Sequence, residues 1–226
     1  MIRTRKSDNG DLTVARHRLV RRIEREGIAG AQVLAAMEAV PREAFVAESL
    51  RGAAYRDAPL PIGGGQTISQ PSTVALMVDA LELAPGDRVL EVGAGSGYAA
   101  AIIGQIAGEV FAIERLPELA AAARERLAAL GTDNVHVYEG DGTEGLAEEA
   151  PFDAIVVAAG GPRAPEALLE QLGVGGRLVI PIGRTLDEQK LFRIRRVSDA
   201  DYRWEELADV RFVPLVGRGG WNGDGG

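Results

Sequence analysis

Short apolar segments alternate with helical segments from residue 87 onward, and this alternation constrains the fold more than any other feature of the chain. It is typical of a mostly parallel sheet that is covered by helices on both faces. The predicted strands are 88–92, 110–113, 135–138, 154–158 and 177–182, followed by a terminal hairpin of 191–197 and 204–213. The predicted helices between the strands are 98–106, 117–130 and 165–172. We therefore predict an α/β fold with a doubly wound, mostly parallel, seven-stranded sheet.

An N-terminal helical extension is predicted before this region. Apolar residues recur at helical spacing between Asp11 and Met37, and Gly27 and Gly30 divide the stretch into two helices. The first ten residues are polar, and we expect them to fray.

A long segment rich in glycine and proline, residues 52–70, connects the extension to the sheet. We predict a functional loop there, followed by a helix that Pro71 opens. Residues 1–70 then hold the N-terminal helices and the loop, as part of the same domain, and residues 71–226 form its main part. The tail 221–226 has no predicted function, and we expect it to be disordered.

Composition excludes several classes of function. The 226 residues carry a formal net charge of −8, which disfavours a sequence-independent nucleic-acid binder because phosphates would be repelled. The chain has no cysteine and only two histidines, His17 and His136, so thiolate and histidine-rich metal sites are not expected. No apolar run reaches membrane-spanning length, and the N-terminus lacks the apolar core of a signal peptide. We expect a soluble, cytoplasmic monomer with no metal, nucleic-acid or membrane partner.

A glycine-rich turn follows the first predicted strand, where the sequence reads Arg-Val-Leu-Glu-Val-Gly-Ala-Gly-Ser-Gly over 88–97. Glycines in a strand-to-helix connection let a ligand approach the backbone closely, and the free N–H groups of the helix can meet an anion. Glu114 ends the second strand, 21 positions after Gly93, where a carboxylate commonly binds ribose hydroxyls.

Two ligands compete for this turn, a dinucleotide and S-adenosylmethionine. The dinucleotide motif places its third glycine three positions after the second, whereas Gly97 follows Gly95 by two. Glu91 in the first strand and Asp141-Gly142 after the third add carboxylates near the turn. Each feature alone also fits a tight connection or a solvated acid. Together, the spacing, the acids and the final hairpin resemble the class I methyltransferases, and this resemblance favours S-adenosylmethionine.

The loop carries a resemblance to a known family. Its sequence from Tyr55 to Pro71, Tyr-Arg-Asp-Ala-Pro-Leu-Pro-Ile-Gly-Gly-Gly-Gln-Thr-Ile-Ser-Gln-Pro, resembles the signature of the protein-L-isoaspartate O-methyltransferases, which are class I, Rossmann-like methyltransferases. The resemblance extends from about Val40 to Trp221 and includes residues 87–93, 139–142, 175–183 and 211–217.

The resemblance implies an activity. Members of the family methylate the free α-carboxylate of L-isoaspartyl residues in damaged proteins with S-adenosylmethionine, which leaves S-adenosylhomocysteine. The ester then collapses to a succinimide that can hydrolyse to normal aspartate. Isoaspartyl peptides and proteins are therefore the expected partners. The alternatives are a methyltransferase for an ordinary aspartate of a dedicated peptide or for a small carboxylic acid, a cofactor-binding module without turnover, and a nucleotide-dependent oxidoreductase.

The resemblance and the glycine turn together give the candidate site residues. The expected cofactor-binding residues are Thr67, Ile68, Ser69, Glu91, Gly93, Gly95, Ser96, Gly97, Glu114, Arg115, Asp141 and Gly142. The expected substrate-binding residues are Leu60, Pro61, Ile62, Thr67, Ile68, Ser69, Val213, Pro214 and Leu215.

Ser69 corresponds to the family serine and is the expected catalytic residue. A carboxylate is ionised at neutral pH and needs no general base, so a neutral hydroxyl that orients it suits the chemistry. Its position before Pro71 also allows a second interpretation, in which Ser69 caps the following helix. Ala94, where many members have threonine, and the small residues Ala158-Ala-Gly-Gly161 depart from the family pattern and leave the fit of the substrate open.

Overall fold

The structure is a computed structural model that describes residues 6–221, with side chains from residue 11 onward. Within these residues the α-helices are Lys6–Arg25 (α1), Ala31–Ala39 (α2), Pro71–Ala80 (α3), Tyr98–Gly104 (α4), Pro117–Ala129 (α5) and Glu166–Gln171 (α6). The strands are Leu60–Gly63 (β1), Gln66–Ile68 (β2), Arg88–Val92 (β3), Glu109–Glu114 (β4), Val135–Glu139 (β5), Phe152–Val157 (β6), Leu172–Gly183 (β7), Gln189–Arg196 (β8) and Tyr202–Val210 (β9). Short 3-10 helices span Arg42–Phe45, Glu48–Ala53 and Gly142–Glu144.

A seven-stranded sheet with the order β5-β4-β3-β6-β7-β8-β9 forms the centre of the molecule. The strands from β3 to β7 pair in parallel, and β8 and β9 extend the sheet in antiparallel fashion. The prediction of a doubly wound, mostly parallel, seven-stranded α/β fold is confirmed. None of the helices over residues 6–221 combines the length and the apolar character that crossing a membrane requires.

Both faces of the parallel strands are buried, which explains why these strands are apolar runs without alternation. Val89 belongs to a core on the face that carries α1, α2, α3 and α4, whereas its neighbour Leu90 belongs to a second core on the face that carries α6. Leu19 and Ile23 of α1 and Met37 of α2 are in the first core together with Val89. The N-terminal extension therefore shares its hydrophobic core with the sheet.

The ends of the chain differ in part from the expectation. Helix α1 begins at Lys6, so residues 6–10 are helical where fraying was expected. Trp221 is packed, since its indole Nε1 donates a hydrogen bond of 2.8 Å to the carbonyl of Gly160. The expectations for residues 1–5 and 222–226 lie outside the described residues.

The predicted loop 52–70 contains a hairpin that the sequence pattern did not indicate. Strands β1 and β2 pair antiparallel around Gly63, Gly64 and Gly65, whose φ angles are +101°, +57° and +70°. Only glycine adopts such angles routinely. The glycines that made the segment look like an open loop are thus the turn of a hairpin.

The N-terminus of α3 is held by a residue from outside the helix. Gln70 is the N-cap and makes no capping hydrogen bond with its side chain. Instead, the Asp57 carboxylate accepts hydrogen bonds from the Ser72 amide at 2.9 Å and from the Gln70 side chain at 3.1 Å. The Ser69 hydroxyl makes no hydrogen bond to any described residue, so its predicted alternative role as a helix cap is wrong.

Removing this remote cap should destabilise the fold. We expect Asp57→Ala to lower the free energy of unfolding by about 1–2 kcal/mol, the usual contribution of an N-terminal cap. Ser69→Ala is the matched control and should leave it nearly unchanged, because no capping bond is lost. Urea unfolding of both variants beside the parent measures the difference. Equal losses in the two variants would show that Asp57 is not the cap.

Candidate functional site

The register of the sheet gathers the ends of several strands at one edge. Val92 at the end of β3 pairs with Ile113 of β4 on one side and with Val157 of β6 on the other. The chain runs outward from β3 through β4 to β5 and then returns to β6, so the strand order reverses between β3 and β6. Crevices at such reversals, beyond the carboxyl ends of the strands, are the usual ligand sites of doubly wound sheets.

A cavity that holds about 920 Å³ of space, including space open to solvent, occupies this position. The predicted cofactor-binding residues that line it are Thr67, Ile68, Ser69, Glu91, Gly93, Gly95, Ser96, Glu114, Arg115 and Gly142. The predicted substrate-binding residues Val213, Pro214 and Leu215 line the same cavity. Gly97 and Asp141 are outside its lining.

The glycine turn presents its backbone to this cavity. Gly93 and Gly95 adopt φ angles of +89° and +55°, and both line the cavity. The amides of Gly93 and Ala94 donate to the carbonyl of Ile113 at 2.8 and 3.0 Å. Gly97 has a different role: a Cβ there would lie 3.4 Å from Ala123 and from Leu127 of α5, so this glycine permits close packing of the helix.

Glu114 fastens the turn to the end of β4. Its Oε2 accepts from the Gly95 amide at 2.8 Å and its Oε1 accepts from the Leu116 amide at 2.9 Å. The side chain is buried at the cavity wall. A carboxylate has about four lone-pair sites, so two acceptor sites are left for hydroxyl donors in the cavity.

Glu91 is the most unusual group at the site. It is 1% exposed, and its Oε2 has no hydrogen-bond partner among the described residues. Burial, and then the neighbouring Glu114 carboxylate, raise the pKa of Glu91 to about 8. An orphaned carboxylate that lines a cavity fits a cationic ligand, because a nearby positive charge would stabilise its ionised form. S-adenosylmethionine, which carries a sulfonium and an ammonium group, meets this condition.

Asp141 is engaged by protein groups instead. Its Oδ1 accepts from the amide and the hydroxyl of Thr143 at 2.9 and 2.7 Å, and its Oδ2 accepts from the Arg218 amide at 2.9 Å. It thereby ties the C-terminal segment to the end of β5. Its neighbour Gly142 lines the cavity, and a Cβ there would lie 2.5 Å from Val92 Cγ1.

A second cavity, with an empty volume of about 1520 Å³, opens beside the first. Thr67, Ser69, Ala158 and Val213 line both cavities and define their junction. Ser69 therefore stands between the crevice at the sheet edge and a wider groove, with a hydroxyl that no described residue engages.

Leu60, Pro61 and Ile62 line neither of these two cavities. The alternation of β1 packs Leu60 and Ile62 against the first core and leaves Pro61 exposed. Ile62 still approaches the glycine turn, since its Cδ1 lies 3.3 Å from the position of a Cβ on Gly95. Their contact with substrate stays a prediction.

Two residues in or behind the walls of the site have only weak sequence signals. Tyr98 lines the first cavity, and its place directly after Gly97 could have indicated this. Gln189 is 3% exposed and binds both backbone groups of Phe212: its Oε1 accepts from the amide at 2.8 Å and its Nε2 donates to the carbonyl at 3.1 Å. The Gln189 amide also explains the small residues after β6, because a Cβ on Gly160 would lie 2.5 Å from it.

Comparison with known proteins places the chain in one family. A model of the family described as protein-L-isoaspartate(D-aspartate) O-methyltransferase matches residues 14–220. The curated protein-L-isoaspartate O-methyltransferase 2 of Pelobacter propionicus is 61% identical over 195 residues, which cover 86% of this chain and 87% of the relative. The corresponding protein 1 of Rhodopseudomonas palustris is 56% identical over 95% of this chain and 88% of its own.

Similar solved structures carry the same family description as the sequence relatives. A structure described as a protein-L-isoaspartate O-methyltransferase has a TM-score of 0.84 at 31% identity, and the match covers 91% of this chain and 67% of the other. A structure from Plasmodium falciparum, described as a protein-L-isoaspartate O-methyltransferase in complex with S-adenosyl-L-homocysteine, has a TM-score of 0.77 at 29% identity. That match covers 89% of this chain and 98% of the other.

The raised pKa of Glu91 predicts a pH-dependent stability. Between about pH 4.5 and pH 8 the folded protein keeps a proton that the unfolded chain has lost, so the free energy of unfolding should fall as the pH rises through this range. The fall attributable to Glu91 is about 1.4 kcal/mol per pH unit at most.

Glu91→Gln cannot ionise and should remove this component. We expect urea unfolding at pH 5 and pH 8 to give a smaller difference for the variant than for the parent, because all other titrating groups are shared. Parallel pH profiles for the two proteins would contradict the assignment.

Proposed function

Because this chain belongs to the protein-L-isoaspartate(D-aspartate) O-methyltransferase family, we propose that it methylates the free α-carboxylate of L-isoaspartyl residues in proteins and so initiates their repair through a succinimide. The observation that carries the proposal at the site is the position of Ser69, at the junction between the crevice of the glycine turn and the wider groove.

The first cavity would hold S-adenosylmethionine, which supplies an electrophilic methyl group on its sulfonium. The open backbone at Gly93 and Gly95 would let the ligand lie against the main chain. Glu114 would offer its two spare acceptor sites to the ribose hydroxyls, and Glu91 would pair with positive charge. Thr67, Ile68, Ser96, Arg115 and Gly142 would complete the walls.

The second cavity would admit the polypeptide that carries the isoaspartyl residue. Its carboxylate is ionised at neutral pH, so the chain needs no base and must instead hold the acceptor in line and exclude water. Ser69 would donate a hydrogen bond to one carboxylate oxygen. Such a bond leaves the other oxygen free to attack, without the strong ion pair that would weaken the nucleophile. Val213 and its neighbours would wall the junction against water.

The substrate class is tested with paired peptides. Methyl transfer should be measured to an isoaspartyl peptide, to its aspartyl twin of the same sequence and to a small dicarboxylic acid. We expect transfer to the isoaspartyl peptide alone. Preferential methylation of the aspartyl twin or of the small acid would overturn the proposal in favour of those substrates.

The role of Ser69 is tested by substitution. Ser69→Ala should lower turnover roughly tenfold to a hundredfold, the equivalent of a lost hydrogen bond to a charged group of about 1–3 kcal/mol. Ser69→Thr keeps the hydroxyl and should retain more activity than the alanine variant. Affinity for S-adenosylhomocysteine, measured by calorimetry, should change little. Parental turnover in Ser69→Ala would remove Ser69 from the mechanism and leave the family membership intact.

We further propose an oligomeric state, a location and the partners of the enzyme. The enzyme acts as a monomer, in the cytoplasm, and without a nucleic-acid partner. The net charge of −8 supports the last of these, since it repels phosphates. Isoaspartyl-containing peptides and proteins are its partners.

A further inference from the structure

A wholly buried arginine lies beneath the Ser69 segment. Arg42 belongs to the 3-10 helix Arg42–Phe45 and is 0% exposed. Its Nε donates to the carbonyl of Ala54 at 2.9 Å, and its Nη2 donates to the carbonyl of Ser69 at 2.8 Å. Burial lowers the pKa of Arg42, because it disfavours the charged form of the side chain. Its Nη1 has no hydrogen-bond partner among the described residues, and an incompletely paired buried cation is costly, so the position of Arg42 requires an explanation.

The same guanidinium also contacts the cofactor side of the site. It lies over the ring of Tyr98, 4.8 Å from the ring centroid. Tyr98 is the first residue of α4, directly after the glycine turn, and it lines the first cavity. Arg42 thus joins three segments: the one before the hairpin, the one that carries Ser69 and the one that follows the glycine turn.

The direction of the Ser69 hydroxyl depends on its backbone. The hydroxyl makes no hydrogen bond to a described residue, so no side-chain partner orients it. On the C-terminal side, Asp57 holds Gln70 and the Ser72 amide. The Ser69 carbonyl itself accepts a hydrogen bond from Arg42.

We propose that Arg42 is a positioning residue for Ser69, which fixes the Ser69 backbone relative to the glycine turn so that the hydroxyl points into the junction of the two cavities. The inference rests on the proposed function, since it assigns the purpose of a contact at that same site. An arginine suits the task because its planar fork donates in two fixed directions while its face stacks on an aromatic ring.

Arg42→Met removes both donors and the charge and keeps an unbranched side chain. We expect kcat on an isoaspartyl peptide to fall roughly tenfold to a hundredfold, because small displacements of a positioning group have effects of this size. The affinity for S-adenosylhomocysteine should stay within a few-fold of the parent. Hydrogen exchange of residues 66–72 should become faster. Arg42→Lys keeps the charge and one donor group. Its kcat and its exchange rate over residues 66–72 should lie between those of the parent and those of Arg42→Met.

Arg177 provides a matched control at the opposite end of the strands. It is also a largely buried arginine that donates to backbone carbonyls, those of Leu81 at 2.5 Å and Glu82 at 2.7 Å. Arg177→Met should lower the thermal midpoint without changing kcat or the exchange of residues 66–72. An equal loss of kcat in Arg177→Met would show that general destabilisation is the cause and would overturn the proposal.

The remaining outcomes are also decisive. Parental kcat and parental exchange of residues 66–72 in Arg42→Met would overturn the proposal. If that variant does not fold, Arg42→Lys decides in the same way. If the parent itself fails to methylate an isoaspartyl peptide, the proposed function is refuted, and the exchange of residues 66–72 alone decides whether Arg42 holds the Ser69 segment.

Discussion

The contact between the glycine turn and the end of β4 is the constraint on which the site depends. Two amides of the turn donate to the Ile113 carbonyl, and the next amide donates to the Glu114 carboxylate, so the turn is attached to the carboxyl end of β4. Because Gly93 and Gly95 carry no side chains, the turn leaves space that becomes part of the first cavity. The parallel register of the sheet then places the remaining walls, because the ends of β3, β4 and β6 lie at the same edge.

This arrangement places two carboxylates close together in a poorly solvated position. Glu114 is engaged by two backbone amides, whereas burial, and then the neighbouring Glu114 carboxylate, raise the pKa of Glu91 to about 8. A fold selected for stability alone would not keep an unpaired acid there. Unpaired buried acids of this kind are typical of functional sites. The ionised form of Glu91 becomes favourable when a positive charge enters the cavity.

The sequence predicted the sheet because parallel strands buried on both faces are uninterrupted apolar runs. It predicted that the glycine turn and Glu114 line the cavity because residues at strand ends meet at one edge, whereas residues 67–69 and 213–215 were expected there only from the family resemblance. It failed at the β1–β2 hairpin, where three glycines indicate an open loop as readily as a tight turn. It also did not identify the residue that caps α3, because Asp57 reaches the Ser72 amide from 15 residues away. Backbone groups have no sequence signature, so a side chain that binds them cannot be recognised from its pattern.

The same reason explains why the residues that hold the junction were not predicted. Arg42 binds the Ser69 carbonyl across 27 residues, and Gln189 binds both backbone groups of Phe212 across 23. Arg42 and Gln189 each fix one wall of the junction by binding its main-chain atoms. Neither acts through a side chain that faces the junction. Transfer to an ionised acceptor needs position more than acid or base strength. The side chains that face the acceptor can therefore be small or neutral, while the polar groups that fix their geometry lie one layer behind them.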